Sequence, residues 1–384
     1  MAGPCQHSIA SRTFWLASKL KQIEEYLKTR KGLKFFTPIG TFSQHKPSSA
    51  ADVWVLDTLK WQVPRYDFGN LNDDLATGVF MSNVIWSNGV EHCTKKGDIN
   101  LFLWQKKASP KVPYAGTIFF VHGSSMASQP TFDLSVPGRP YSSVMDWFNE
   151  RGFDTWTMDN EGYGRSDKHR PINSDIANGA EDLAAGSEYI LKHSVSQKLH
   201  IYGISSGALK AALFAQNHPE RIGKLALDAF VWTGEGSHTL EQRRKKLPEF
   251  LAKNRRPIDR AFVHSIFDRD HPGTADEATI SAFADAILTL DDSMPTGTYV
   301  DMCSKLPVVD PLKITVPTIV LRGEYDGIAG LDDLIDFYKL LPNTDKQFNV
   351  MAGISHASFQ QKNYMMVYHI LHSYYTMPAP IYRG

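Results

Sequence analysis

The chain has 384 residues, enough for one large domain with insertions or for two domains. Lys+Arg and Asp+Glu both number 41, so the formal net charge is zero and no field favours nucleic acid or an anionic membrane surface. A 42% hydrophobic content suits a globular protein with a sizeable core, and no apolar stretch approaches the roughly 18 residues that span a bilayer.

In chain order, residues 1–8 lack the charged-then-apolar layout of a secretory signal. Residues 12–31 are patterned as an amphipathic helix with Leu16, Leu20, Ile23 and Leu27 on one face. The early part of this helix is basic, as in a transit peptide, but Glu24 and Glu25 follow at once, which favours a docking role. Together with the Pro-, Ser- and Asp-rich stretch that follows, it makes residues 1–84 an N-terminal helical and extended arm. The arm packs either on the main domain or on a second subunit, and the second choice would make a homo-oligomer. The three cysteines, Cys5, Cys93 and Cys303, are far apart and odd in number, which argues against a disulfide framework or a zinc knuckle. A reducing, cytoplasmic location is the simplest expectation, with room for one disulfide.

From Val84 onward the signals sharpen. Val84-Ile85-Trp86, Asn88-Gly89 and a polar turn at Lys96-Gly97 suggest antiparallel strands, and Ile99, Leu101 and Leu103 alternate as in a half-buried strand. Residues 117–121 are an unbroken apolar run, expected of a strand covered on both faces. A helix over 141–151 ends at Gly152, a strand spans 153–158, and a helix covers about 175–193. Then come strand 199–202, helix 208–217 and strand 224–228. The alternation predicts an α/β fold with a doubly wound, mostly parallel sheet. It breaks at about Ala229 and resumes with strands at 317–321 and 347–351. Thr239-x-x-Gln242 and Thr274-x-x-Glu277 read as capping boxes, the second followed by Ile280, Phe283, Ala284, Ile287 and Leu288 at helical spacing. Residues 229–312 are therefore expected to form a helical lid inserted into a core of 85–228 and 313–384, shaping the pocket and excluding water.

Chemistry concentrates where strands end. Gly203-Ile204-Ser205-Ser206-Gly207 joins a strand to a helix, and glycines two residues either side of Ser205 let a serine sit at the apex of so tight a turn. The Ser206 N–H then faces a reacting carbonyl oxygen. A hydroxyl needs a base, and a histidine serves if a carboxylate fixes its tautomer. His356 follows the last strand and Asp326 the one before, giving the chain order Ser205, Asp326, His356. Glu324 is the rival acid, since the tautomer argument accepts either carboxylate; Asp326 is preferred because it lies further round the loop. His369 and His372 fall on the last helix, and His92, His193, His200 and His218 have no comparable place after a strand. A second oxyanion N–H is expected from the loop after Val121, with Ser124 first and Ser125 next, while His122 shapes that loop. Ser125, Met126, Trp232, Phe283 and Ile354 are candidate pocket residues. The Gly162-x-Gly164 pair lacks the third glycine and the acidic partner of a dinucleotide fingerprint.

Taken together, His122-Gly123, Asp159-x-x-Gly162-x-Gly164-x-Ser166, Gly203-x-Ser205-x-Gly207, Gly323-x-x-Asp326 and Gly353-x-x-His356 resemble the α/β-hydrolase superfamily over about residues 97–375. The resemblance implies a Ser-His-acid hydrolase that needs no metal or other cofactor, with the lid after the sixth strand. Serine at position 205 excludes the branches with an aspartate nucleophile, the haloalkane dehalogenases and epoxide hydrolases. Peroxidases and C–C hydrolases keep the serine and stay open. The expected substrate is a small-molecule carboxylic ester or lactone, cleaved through an acyl-enzyme. The same apparatus acting on an amide, thioester or carbon–carbon bond is one alternative, and a non-catalytic ligand-binding protein is another.

Overall fold

The computed structural model describes Trp86 and residues 88–382. The N-terminal arm, with the helix expected over 12–31, lies outside the described residues. Two antiparallel strands, β1 (Val90–Lys96) and β2 (Ile99–Lys106), pair around the turn expected at Lys96-Gly97. They lead to β3 (Gly116–Val121), a short helix α1 (Ser128–Phe132), α2 (Val144–Asn149) and β4 (Phe153–Met158). Next come α3 (Ile176–Lys192), β5 (Leu199–Ile204), α4 (Ser206–Asn217) and β6 (Ile222–Asp228). The insertion holds α5 (His238–Arg244), α6 (Leu247–Ala252), β7 (Arg255–Pro257), α7 (Arg260–Asp268), α8 (Glu277–Leu290), β8 (Ser293–Pro295) and α9 (Gly297–Ser304). The chain ends with β9 (Thr318–Gly323), α10 (Leu331–Leu340), β10 (Lys346–Met351) and α11 (Tyr364–Thr376).

Eight strands form one sheet in the order β1-β2-β4-β3-β5-β6-β9-β10. Strand β2 runs antiparallel to β1 and β4, and every pairing from β4 onward is parallel. The apolar runs of the central strands follow from cover on both faces, because successive side chains point to opposite sides. On β3, Phe119 and Val121 join the cluster under α3, α4 and α10, while Ile118 and Phe120 join the one under α2 and α11. Leu199 and Ile201 on β5 divide from Tyr202 and Ile204 in the same way. Fully burying a phenylalanine such as Phe119 or Phe120 contributes about 1.5–3 kcal/mol, so this alternation fixes the strand register.

The insertion departs from expectation in two respects. It is not wholly helical, since β7 and β8 pair as an antiparallel ribbon. Three-residue strands that include a proline carry no period-two signal. The two capping boxes are also misplaced. The N-caps are Ser237, which accepts from Leu240 N, and Asp276, which accepts from Thr279 N at 2.9 Å. Asp276 brings a full negative charge to the positive end of α8, which a threonine cannot. Thr239 and Thr274 instead donate to the Asp270 carboxylate and the His271 carbonyl. Helix α1 lies in the loop expected after Val121, and five residues are too few to show a helical period.

The Asp159-x-x-Gly162-x-Gly164-x-Ser166 motif is structural. Asp159 Oδ1 accepts from the N–H and hydroxyl of Ser128 at the start of α1, and Oδ2 accepts from Arg165 N. Ser166 Oγ accepts from Phe102 N on β2 at 2.9 Å. These bonds tie the loop after β4 to the loop after β3 and to the sheet edge. Asp159→Ala would leave several buried donors unmet, and we expect it to lower the free energy of unfolding by about 3 kcal/mol, read from the urea midpoint at constant m-value.

Candidate active site

Ser205 stands between β5 and α4 with φ 59° and ψ −126°. A non-glycine residue held there costs on the order of 1–3 kcal/mol, which the surrounding backbone must offset. Ser205 N donates to Asp228 O at 2.9 Å, and Ser205 O accepts from Ala208 N at 2.9 Å. The flanking glycines answer to close approach. A Cβ on Gly203 would lie 2.4 Å from Gly207 O, and one on Gly207 would lie 2.3 Å from Val121 O. Any larger residue at either place would force α4 away from β3 and β5.

The loops that leave β9 and β10 bring two further predicted residues to this point. His356 Nε2 lies 2.9 Å from Ser205 Oγ, and His356 Nδ1 lies 3.0 Å from both carboxylate oxygens of Asp326. Asp326 and His356 are buried, at 3% and 6% exposure, so little water competes for these bonds. Burial pushes the Asp326 carboxyl up. The His356 charge and hydrogen bond, with the N–H groups of Ile328 and Ala329, outweigh burial and hold it at about 2. An ionised carboxylate can only accept, so His356 Nδ1 carries the proton and Nε2 is left to accept from the Ser205 hydroxyl. Glu324, the rival acid, does not reach the imidazole; its carboxylate accepts from Gly353 N at 2.8 Å and braces the histidine loop.

The loop after β3 approaches the serine from the other side. A Cβ on Gly123 would lie 3.3 Å from Ser205 Cβ. Ser124 Oγ donates to Ser206 Oγ at 2.7 Å, which couples the two expected oxyanion residues. Tyr163 Oη donates to Ser124 O, pinning the next peptide. Neither the Ser124 nor the Ser206 N–H has an acceptor among the described residues, so both stay available to a ligand oxygen. His122 does the local work expected of it: Nε2 accepts from Asn160 N at 3.0 Å, which leaves Nδ1 to donate to Gly123 O. Burial, then the charge of Lys210, lower its pKa well below the usual histidine value and keep it neutral.

The candidate pocket residues divide. Met126 and Phe283 share a buried cluster with Ala357, the neighbour of His356. Ser125 bonds to the insertion through Arg256 Nη2 at 2.8 Å. Trp232 belongs to a different cluster, where it packs on Phe337 and donates from its indole to Val309 O. Ile354 is fully buried in the core beneath α11.

Three groups near the site carried no sequence motif. Asp228 ends β6 beside Ser205, and Tyr202 Oη donates to it at 2.5 Å. Burial holds its carboxyl up at about 7. Arg139 donates to the carbonyls of Phe359, Gln360 and Gln361, just after His356, and to Thr279 Oγ1 on α8. It thus clamps the insertion to the histidine loop, aided by contact between Thr274 Oγ1 and Ser355 Oγ at 3.2 Å. The third group is the cluster of Arg243, Arg256 and Tyr299 in the insertion.

Residues 116–363 match the hydrolase family described as "Serine aminopeptidase, S33", which covers more than half of the chain. No match is found among curated proteins. Among solved structures, an esterase from Exiguobacterium antarcticum is similar with a TM-score of 0.54 at 14% identity, over 75% of this chain and all of that one (100%). A thermophilic esterase from Thermogutta terrifontis gives 0.53 at 17% identity, over 75% of this chain and 98% of that one. An E-2-(acetamidomethylene)succinate hydrolase gives 0.53 at 17% identity, over 74% and 98%. At such identities the likeness to these structures is one of fold. The family match and the sheet order agree, and the chain belongs to this serine aminopeptidase-like family of α/β-hydrolases.

Proposed function

We propose that the protein hydrolyses a carboxylic ester or lactone through an acyl-enzyme on Ser205. The observation that carries this reading is the unbroken chain from Asp326 through His356 to Ser205, at 3.0 and 2.9 Å, beside two N–H groups with no acceptor among the described residues. Ser205 Oγ attacks the carbonyl carbon as its proton passes to His356 Nε2. The oxygen gains a negative charge that the Ser124 and Ser206 N–H groups hold, each worth about 3 kcal/mol of barrier. Collapse expels the alcohol, which takes the proton from the imidazolium, and leaves the acyl group on Ser205. Water then attacks that ester, with His356 again accepting and returning the proton. Asp326 keeps the imidazole in the tautomer that each step requires. Likeness in fold to esterases is consistent with an ester substrate.

Purified protein tested on p-nitrophenyl esters, lactones and anilides separates ester cleavage from the amide alternative. A fluorophosphonate should label Ser205 in the wild type and leave Ser205→Ala unlabelled. Turnover by Ser205→Ala should fall by roughly four to six orders of magnitude, and a variant that keeps most of its activity would show that another residue is the nucleophile. Asp326→Asn should lower kcat by about 10⁴-fold through the wrong tautomer, while Glu324→Gln should cost less than about tenfold. The folded pKa of Asp326 is below the roughly 3.9 of an unfolded aspartate, so its contribution to stability is complete above that value and is lost as pH falls through about 2. The stability gap between wild type and Asp326→Asn, read from urea unfolding, should therefore be constant from about pH 7 to 5 and narrow below about pH 4.

A further inference from the structure

The insertion holds unbalanced positive charge where it meets the loop after β3. Arg243 on α5 and Arg256 on β7 both lie over the ring of Tyr299 on α9, with guanidinium carbons 4.4 and 4.2 Å from its centroid. A third arginine nearby, Arg269, is neutralised by Asp270 at 3.1 Å. Neither Arg243 nor Arg256 pairs with a carboxylate among the described residues, and Arg243 donates no hydrogen bond to any of them. Arg256 Nη2 donates to Ser125 Oγ at 2.8 Å and to Ser124 O at 3.4 Å, yet its Nε–H is buried with no acceptor. Tyr299 Oη completes the group, 3.2 Å from the same Ser125 Oγ.

Two guanidiniums gathered on one ring repel each other, and holding them half-buried without an acid is costly until an anion joins them. Tyr299 responds to this imbalance. Burial would raise its phenol, but Arg243 and Arg256 outweigh burial and bring it down to about 7. Tyr163, also buried and bonded to the same loop, is instead raised. With two guanidiniums, the Ser125 hydroxyl and no acid beside them, the group suits a planar carboxylate that accepts from several donors at once.

We propose that Arg243 and Arg256, with Ser125 and Tyr299, form a subsite for a carboxylate carried by the substrate. Ser125 follows Ser124 directly, so an anion held here lies beside the group whose carbonyl oxygen the Ser124 N–H would receive. The proposal rests on the hydrolase reading of Ser205 and narrows it to esters or lactones of acidic molecules.

The test compares two p-nitrophenyl esters of matched chain length, one ending in a carboxylate and one in a methyl group. The full-length wild type should favour the acidic ester by roughly tenfold or more in kcat/KM, chiefly through KM, with the preference shrinking as salt rises. Arg243→Met and Arg256→Met should each draw the ratio toward one, and Arg243→Lys should keep part of it. Equal kcat/KM for both esters in the wild type, or a preference that survives both methionine variants, overturns the subsite. Glutarate binding separates this failure from that of the hydrolase reading. The dianion has one carboxylate to place on the arginines, and binding should raise the Tyr299 pKa, seen as loss of tyrosinate absorbance at mildly alkaline pH that Tyr299→Phe lacks. This fall in absorbance on adding glutarate, with no ester turnover and no labelling of Ser205, supports the subsite and sinks only the hydrolase reading. Ester turnover without discrimination, and no glutarate response, sinks only the subsite.

Discussion

Ser205 keeps its hydroxyl at the carboxyl edge of the sheet because β3, β5 and α4 approach one another more closely than side chains would permit. The absent Cβ atoms of Gly203 and Gly207 leave backbone carbonyls in the space they would fill. The strained φ of 59° is then over-determined by bonds from β6 and from the first turn of α4. Every other part of the site is referred to this point. The loop after β3 must pass close to Ser205 Cβ, and the loops after β9 and β10 must reach it from the far side. A parallel sheet supplies this convergence at no added cost, since all of these loops leave the same edge.

Two buried carboxylates, Asp228 at the end of β6 and Asp326 in the loop after the neighbouring β9, show how partners decide ionisation. Asp326 meets an imidazole and two backbone N–H groups and is held at about 2. Asp228 is equally buried and accepts from the Tyr202 hydroxyl, and burial with the nearby Asp326 charge keeps it at about 7. Asp326, the carboxylate that touches His356, is therefore fully charged at neutral pH, while its neighbour is only partly so. The arrangement lessens the second negative charge close to where an oxyanion would form.

The core was legible in the sequence because its signals are local. Unbroken apolar runs mark strands with cover on both faces, and Ser205, Asp326 and His356 each sit in a short glycine-bearing loop directly after such a run. The choice between Glu324 and Asp326 turned on loop path, which spacing suggests but only coordinates settle as geometry. The insertion was legible as helix-rich and little more. Its caps moved by two residues because several Ser, Thr and Asp side chains compete at each helix start, and its ribbon is too short to show a period. Arg139, Arg243, Arg256 and Tyr299 gave no signal, because what joins them is tertiary proximity across chain separations that no motif spans. Trp232 shows the converse: an aromatic residue just past β6 is a natural candidate for a pocket wall, yet its indole is taken up by Val309 O and Phe337.

The Arg139 clamp makes the insertion mechanically lopsided. On the α8 side, one guanidinium holds three carbonyls of the histidine loop and a hydroxyl of the helix, and charge-assisted bonds of this kind are worth about 1.5–3 kcal/mol each. On the other side α6 buries no side chain, and α5 buries only Leu240. The α5–α6 pair is held instead through α9, where Phe250 meets the Tyr299 ring edge-on. Arg243 stands over that same ring, so the proposed subsite draws on the half of the insertion that buries the fewest side chains.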